Sequence, residues 1–202
     1  YFREYNVMTR SLDSIKIRFV GGDDFTRKVV DAYEDGSAEL GLPADETAGL
    51  SWAAAGSARL RDFSHIAPDL PVLDAAKCVG CMECVTQCPD TAILAKVVPA
   101  GAHAALLEKL AADPNGAFLG AQFAKTTKYF DVPARKGNEG GMFYLMTDPS
   151  KCKGCGECVQ ACGSHAALTM VPKSAELMGR FRAAARLFRE LPDTPRHYIQ
   201  DK

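Results

Sequence analysis

Eight cysteines in two sets of four constrain this chain more than any other feature. KCVGCMECVTQCP at residues 77–89 and KCKGCGECVQACG at residues 151–163 share the spacing C-x2-C-x2-C-x3-C. The sets are Cys78, Cys81, Cys84 and Cys88, then Cys152, Cys155, Cys158 and Cys162, and eight of the thirteen aligned positions are identical. The likeness begins earlier, at Asp74-x-x-Lys77-Cys78 and Asp148-x-x-Lys151-Cys152. Val72 and Leu73 lead into the first set and Ala92, Ile93 and Leu94 lead out. Phe143, Tyr144 and Leu145 enter the second, and Ala166, Ala167 and Leu168 leave it. Each copy is therefore predicted to run strand, cysteine loop, short helix, strand.

The spacing decides the chemistry. Three thiolates two residues apart on a tight loop converge on three corners of an iron–sulfur cubane, while the fourth, displaced along the chain, points towards a second centre. Two 4Fe-4S clusters with exchanged fourth ligands are expected: one on Cys78, Cys81, Cys84 and Cys162, the other on Cys152, Cys155, Cys158 and Cys88. Structural zinc fits poorly, since it draws two separated ligand pairs to one tetrahedral ion. A disulfide framework also fits poorly in a chain of this length without a secretory pattern. Gly80, Gly154 and Gly156 let the backbone fold sharply and aim N–H groups at sulfur. Pro89 is expected to start a helix after Cys88 with its preset φ. Gly163, in its place in the second set, is expected to loosen that helix and open the Cys162 side to solvent. His165 lies close enough to tune a cluster but reads as packed or exposed, His65, His103 and His197 show no partner pattern, and Met82 reads as packing rather than ligation.

Composition excludes some classes. Lys plus Arg number 24 against 25 Asp plus Glu, so no global field favours nucleic acid or an anionic membrane. No apolar run approaches the ~18 residues needed to cross a bilayer, and the start lacks a secretory signal. A soluble, cytoplasmic protein is expected. The sequence opens on Tyr1 rather than Met, which reads as a processed product or a piece of a longer polypeptide. Residues 22–48 carry eight acidic side chains against Arg27 and Lys28, read as a solvated surface before a docking patch.

Along the chain, Ile15, Ile17 and Phe19 alternate as a short strand, followed by a helix capped by Asp24 that carries Phe25, Val29, Ala32 and Tyr33. Residues 41–70, with Trp52, read as a wrapping segment with one short helix. The expected organisation is an N-terminal wrapping or docking segment at 1–69, a two-cluster domain at 70–172 with a long insertion at 89–151, and an amphipathic helix and tail at 173–202. Within the insertion, a helix is predicted around 104–112, strands at 128–132 and 142–146, and a turn at Gly137, Gly140 and Gly141. The final helix, 174–191, carries Leu177, Met178, Phe181, Ala184, Phe188 and Leu191 on one stripe and Arg180, Arg182, Arg186 and Arg189 elsewhere, as for a core-facing helix.

These motifs resemble the bacterial-type two-cluster ferredoxin module, an α+β fold, over residues 70–172. The wider frame adds Leu70-Pro71-Val72, CVGCMECVTQCPDTAI, the long spacer, CKGCGECVQAC and a helix running into Leu191-Pro192-Asp193. It resembles the ferredoxin-like domain or subunit of thiamine-pyrophosphate-dependent 2-oxoacid:ferredoxin oxidoreductases, the pyruvate:ferredoxin oxidoreductase family. The resemblance implies the electron-transfer component of such an oxidoreductase, relaying electrons one at a time from a thiamine-bound intermediate in a partner to external ferredoxin or flavodoxin. Only the eight cysteines carry over. The chain has no thiamine-binding Gly-Asp-Gly pattern, P-loop or dinucleotide fingerprint, so thiamine pyrophosphate and Mg belong in a partner chain or missing domains, and no catalytic residue is expected here. Two other readings stand beside this one. The chain is an electron-wiring subunit of another redox complex, of hydrogenase or formate dehydrogenase type, or a stand-alone carrier; or it is a scaffold whose clusters only hold the fold.

Overall fold

The cysteine repeat folds as two copies of one strand, loop, helix, strand unit, each lending a strand to the other. In the computed structural model, residues 28–29, 31–42 and 63–199 are described. The chain divides into two units, Tyr1–Leu60 and Arg61–Lys202.

In the first unit, α1 (Asp31–Asp35) lies within the span of the predicted helix. Gly36 follows it at φ 83, a left-handed conformation that suits a residue without Cβ, and the chain re-enters a 3-10 turn at Ser37–Leu40. The predicted strand at 15–19, Asp24, Phe25 and Trp52 lie outside the described residues.

In the second unit, the first repeat supplies β1 (Asp69–Leu73), α2 (Glu83–Thr86) and β2 (Ile93–Pro99). Then come α3 (Ala100–Leu110), α4 (Gly116–Gly120), β3 (Phe123–Lys125), a π-helical turn (Thr127–Asp131) and α5 (Val132–Arg135). The second repeat supplies β4 (Gly141–Thr147), α6 (Glu157–Cys162) and β5 (Leu168–Pro172), and α7 (Ala175–Glu190) follows. The architecture is α+β.

Strand pairing ties the repeats together. β1 runs antiparallel to β5, with Asp69 opposite Pro172 and Leu73 opposite Leu168. β2 runs antiparallel to β4, with Ile93 opposite Thr147, and β3 adds to the other edge of β4. The strand entering each repeat thus pairs with the strand leaving the other. The repeated aspartates mark the junctions: Asp74 N–H donates to Ala167 O at 2.7 Å, and Asp148 N–H donates to Ala92 O at 2.7 Å.

β4 is apolar on both faces because it separates two cores. Phe143 and Leu145 face a core that includes Ile93, Val97, Tyr129, Cys158 and Cys162. Tyr144 and Met146, one residue out of phase, face Leu110, Leu119 and the α7 residues Ala183, Ala184 and Leu187. The Ser174 hydroxyl caps α7 by accepting the Leu177 N–H at 3.1 Å. At the other end Lys96 donates to Leu191 O at 2.6 Å and lies over the Phe188 ring. Across the α7 interface the buried Tyr144 hydroxyl donates to Ala184 O at 3.0 Å. Tyr144→Phe is expected to lower unfolding free energy by about 1 kcal/mol with an unchanged denaturant slope, measured in denaturant melts.

Two predictions for the spacer are corrected. Residues 128–132 are helical, not a strand: the Thr126 hydroxyl accepts the Tyr129 N–H at 3.2 Å as an N-cap, and Pro133 suits the first turn of the α-helix that follows. Tyr129 and Pro133, four residues apart, take the buried positions. The strand lies earlier, at Phe123–Lys125. The helix predicted around 104–112 begins at Ala100, directly after the Pro99 cap. Among the described residues no helix is long and apolar enough to cross a membrane.

Candidate metal centres

Local chemistry shapes each cysteine loop in the same way. The Asp74 carboxylate accepts the Ala76 N–H at 3.2 Å and pairs with Lys77 Nζ at 3.1 Å; the Asp148 carboxylate accepts the Ser150 N–H at 2.9 Å and its hydroxyl at 2.6 Å. These are turns closed by an aspartate side chain, which explains the D-x-x-K-C repeat. Gly80 and Gly154 then take φ 70 and φ 72, and their backbone N–H groups favour the charged form of Cys78 and Cys152 against the effect of burial. Met82 (φ 75) and Gly156 (φ 81) start α2 and α6 from equivalent left-handed positions. For a side chain like that of Met82, such a conformation costs roughly 1 kcal/mol or more.

The fourth cysteine leaves each helix at its end. Cys88 Sγ accepts the Ala92 N–H and Cys162 Sγ accepts the Ala167 N–H, both at 3.2 Å, each donor sitting just after a left-handed residue, Thr91 or Ala166. Two expectations for this region are corrected. Pro89 opens a turn rather than a helix, since α2 has already ended at Thr86. Gly163 does not expose Cys162, which is 9% exposed, whereas Cys88, which Pro89 follows, is only half-buried. Gly163 adopts φ 53, ψ −130, which the proline ring forbids, and the extra residue before Ala167 completes the same sulfur-directed bond.

The result is two voids, each ringed by four sulfurs. Cys78, Cys81, Cys84 and Cys162 line one, together with Met82, Phe143 and Leu168. Cys152, Cys155, Cys158 and Cys88 line the other, with Pro71, Ile93 and Met170. Part of each opens to solvent, at the exposed Cys81 and Cys155. Three members of each ring come from one motif and the fourth from the other.

The donor set fits a large, electron-poor guest. Among the described residues no three His, Cys, Asp or Glu side chains lie close enough to share one metal ion, which bonds of about 2.3 Å to sulfur would require for zinc. Burial pushes the Cys84 thiol up to about 12, with Cys78 and Cys81 adding charge repulsion. Burial likewise pushes the Cys158 thiol up to about 11. Thiols so placed stay protonated until a cationic guest displaces the protons, the behaviour of a metal–thiolate site. Cys84 also senses Cys158 of the other ring, so the two voids are neighbours. His165 lines the first void and is exposed. His103, half-buried in α3, packs against Phe123, away from either ring.

Comparison with known proteins adds the family. Residues 77–166 match the family model described as a 4Fe-4S dicluster domain. This segment is a ferredoxin-like 4Fe-4S dicluster domain. The chain is 30% identical over 129 residues to a pyruvate-flavodoxin oxidoreductase of Rhodospirillum rubrum, covering 61% of this chain and 9% of that protein. It is 29% identical over 116 residues to a probable pyruvate-flavodoxin oxidoreductase of Escherichia coli, covering 57% of this chain and 8% of the relative. The chain thus spans less than a tenth of the curated relatives it matches. The matched segment contains both cysteine motifs. Sequence patterns identify all eight cysteines but not the N–H donors of Ala92 and Ala167; the only trace of those is an alanine at both equivalent positions.

Proposed function

We propose that the dicluster domain is the electron-transfer component of a 2-oxoacid oxidoreductase, with one 4Fe-4S cluster on Cys78, Cys81, Cys84 and Cys162 and the other on Cys152, Cys155, Cys158 and Cys88. The two crossed rings of sulfur are the observation that carries the ligand assignment, and the likeness to pyruvate-flavodoxin oxidoreductases supports the enzyme. Bound in the rings, each cluster supplies one-electron redox chemistry, which divides the electron pair of a decarboxylated 2-oxoacid into single steps. The chain's own residues hold the sulfurs, aim N–H groups at them and exclude water. Residues 70–172 form this domain, with 89–151 as its insertion, 1–69 as a docking segment and 173–202 as a covering helix and tail. The thiamine pyrophosphate and Mg chemistry belongs to a partner subunit or domain, the acceptor is ferredoxin or flavodoxin, and the assembly is cytoplasmic.

The test is to purify the native assembly without oxygen, add single 2-oxoacids with coenzyme A, and record electron paramagnetic resonance (EPR) of the clusters. The expected result is rapid reduction of the clusters by one 2-oxoacid. Silence with every 2-oxoacid, while dithionite reduces both clusters, would move the domain to another redox complex.

A further inference from the structure

The electron-transfer reading leaves the long insertion between the motifs without a task, and the structure shows it backing the wall of one sulfur ring. Gly80 and Gly154 hold the same place in the two cysteine loops, at φ 70 and φ 72, and each lines its own void. What lies behind them differs. A Cβ on Gly80 would stand 3.0 Å from Tyr129 Cε2, 3.1 Å from Tyr129 Cδ2 and 3.3 Å from Thr126 Cγ2, all side-chain atoms of the insertion. A Cβ on Gly154 would stand 3.1 Å from Asp69 O, 3.1 Å from Pro68 Cδ and 3.4 Å from Ala67 Cα, on the approach to β1. Tyr129, 8% exposed, is held from its other sides as well. Its ring stacks on Phe143, with centroids 5.4 Å and planes 5° apart, and Phe143 also lines the first void. The Thr126 hydroxyl accepts the Tyr129 N–H at 3.2 Å, and Lys128 Nζ lies 4.9 Å from the Tyr129 ring centroid. Among the described residues lining the second void, none falls between 94 and 151.

A glycine at positive φ gives a loop its sharp turn but no side chain to anchor it, so the turn is fixed by what packs against its backbone. Groups behind the ligands orient them without touching the metal. Resting on the dicluster reading above, we propose that Tyr129, seated by Thr126, is the positioning residue of the Cys78, Cys81, Cys84 and Cys162 site: its ring, wedged between Gly80 and Phe143, holds the first cysteine loop in the conformation that ligates the cluster. The insertion is then a clamp dedicated to one cluster. Tyr129 and Thr126 line neither void, so they act through the loop and not as ligands. The second loop rests on the segment before β1 instead, so a side-chain change in the insertion acts on the first site and leaves the second as it was.

The experiment takes the full chain with both clusters reconstituted and reads, without oxygen, the EPR spectrum of each reduced cluster and its rate of iron release to a ferrous chelator. An iron and sulfide count below that of two 4Fe-4S clusters in the unaltered chain would overturn the dicluster reading itself, separately from the clamp. Cys155→Ala and Cys81→Ala, each retaining one cluster, identify the two signals. Tyr129→Leu removes the ring; it should speed iron release from the first site about tenfold and alter that cluster's spectrum, while the second cluster keeps its rate and spectrum. Tyr129→Phe keeps the ring and should match the unaltered chain. Thr126→Ser keeps the hydroxyl that accepts the Tyr129 N–H but deletes the methyl over Gly80, and should speed release from the first site about fourfold, the worth of one buried methylene. Val97→Ala is the control, since it opens the same core without lining either void, and it should not favour the first site. Equal acceleration at both sites by Tyr129→Leu, an unchanged first-site spectrum, a Tyr129→Phe that behaves like Tyr129→Leu, or a Val97→Ala as selective as Tyr129→Leu would each overturn the proposal. If Tyr129→Leu failed to assemble, Thr126→Ser would decide alone, since acceleration at both sites, or at neither, contradicts a clamp on the first loop.

Discussion

Cys162→Ala removes half the iron of the domain, and the site it empties is that of the first motif. The expectation follows from the rings: Cys162 lies at the end of α6 but lines the void of Cys78, Cys81 and Cys84, while Cys158, four residues earlier, lines the other. One turn of helix separates the two sulfurs in sequence and places them in different sites. The chain is expected to retain four irons of eight, with an EPR spectrum that superimposes on that of Cys81→Ala and differs from that of Cys155→Ala. Cys88→Ala should give the converse pairing. If each motif instead closed its own cluster, Cys162→Ala would match Cys155→Ala. Alanine is the right probe, because a serine oxygen is itself able to ligate iron.

Removing both clusters unfolds one part of the domain and spares another. The β1–β5 ribbon and the cysteine loops rest on two cores built with cysteines: one includes Cys158 and Cys162 with Cys78, Cys84 and Cys88 packed against it, the other Cys152 with Leu70, Met178 and Phe181. Without clusters, each of these cores borders a solvent-open hollow ringed by four thiols, and two strands alone are marginal in water. The third core, between the outer face of β4 and α7, contains Val98, Phe123, Tyr144, Met146 and Leu187 and no cysteine. Chelation of iron under reducing conditions should therefore lower amide protection in β1, β5 and both loops by about 100-fold or more, roughly 2.7 kcal/mol or more. Protection in β4 and α7 should fall much less. Hydrogen exchange read by mass spectrometry separates the regions. Uniform loss across all strands would show one cooperative unit that needs its metal throughout, and uniform retention would show that the clusters contribute little to the fold.

What was legible in the sequence was local. The cysteine spacing, the D-x-x-K-C entry and the glycines at φ 70 and φ 72 each depend on a few consecutive residues, and each appears in the structure. The errors were also local in origin. Residues 128–132 look extended when read two by two, but Thr126 and Pro133 sit outside that window and turn the segment helical. Gly163 reads as a loosened helix only against proline as the reference; the turn there needs a positive φ, so proline is the residue that could not serve.

The sequence by itself determined the kind of group the domain holds, because a tight loop with sulfurs at two-residue intervals sets the spacing of three ligands before any long-range contact forms. Only the tertiary structure decided that β1 pairs with β5 and β2 with β4, which seats Cys162 in the first ring and Cys88 in the second. Likewise, only the fold brings Phe143 and Leu145 of a distant strand to the first void and sets Lys153 against Asp90 at the rim of the second. Side chains far apart in the chain become the dielectric around a site through packing alone, and no spacing rule encodes which of them will meet.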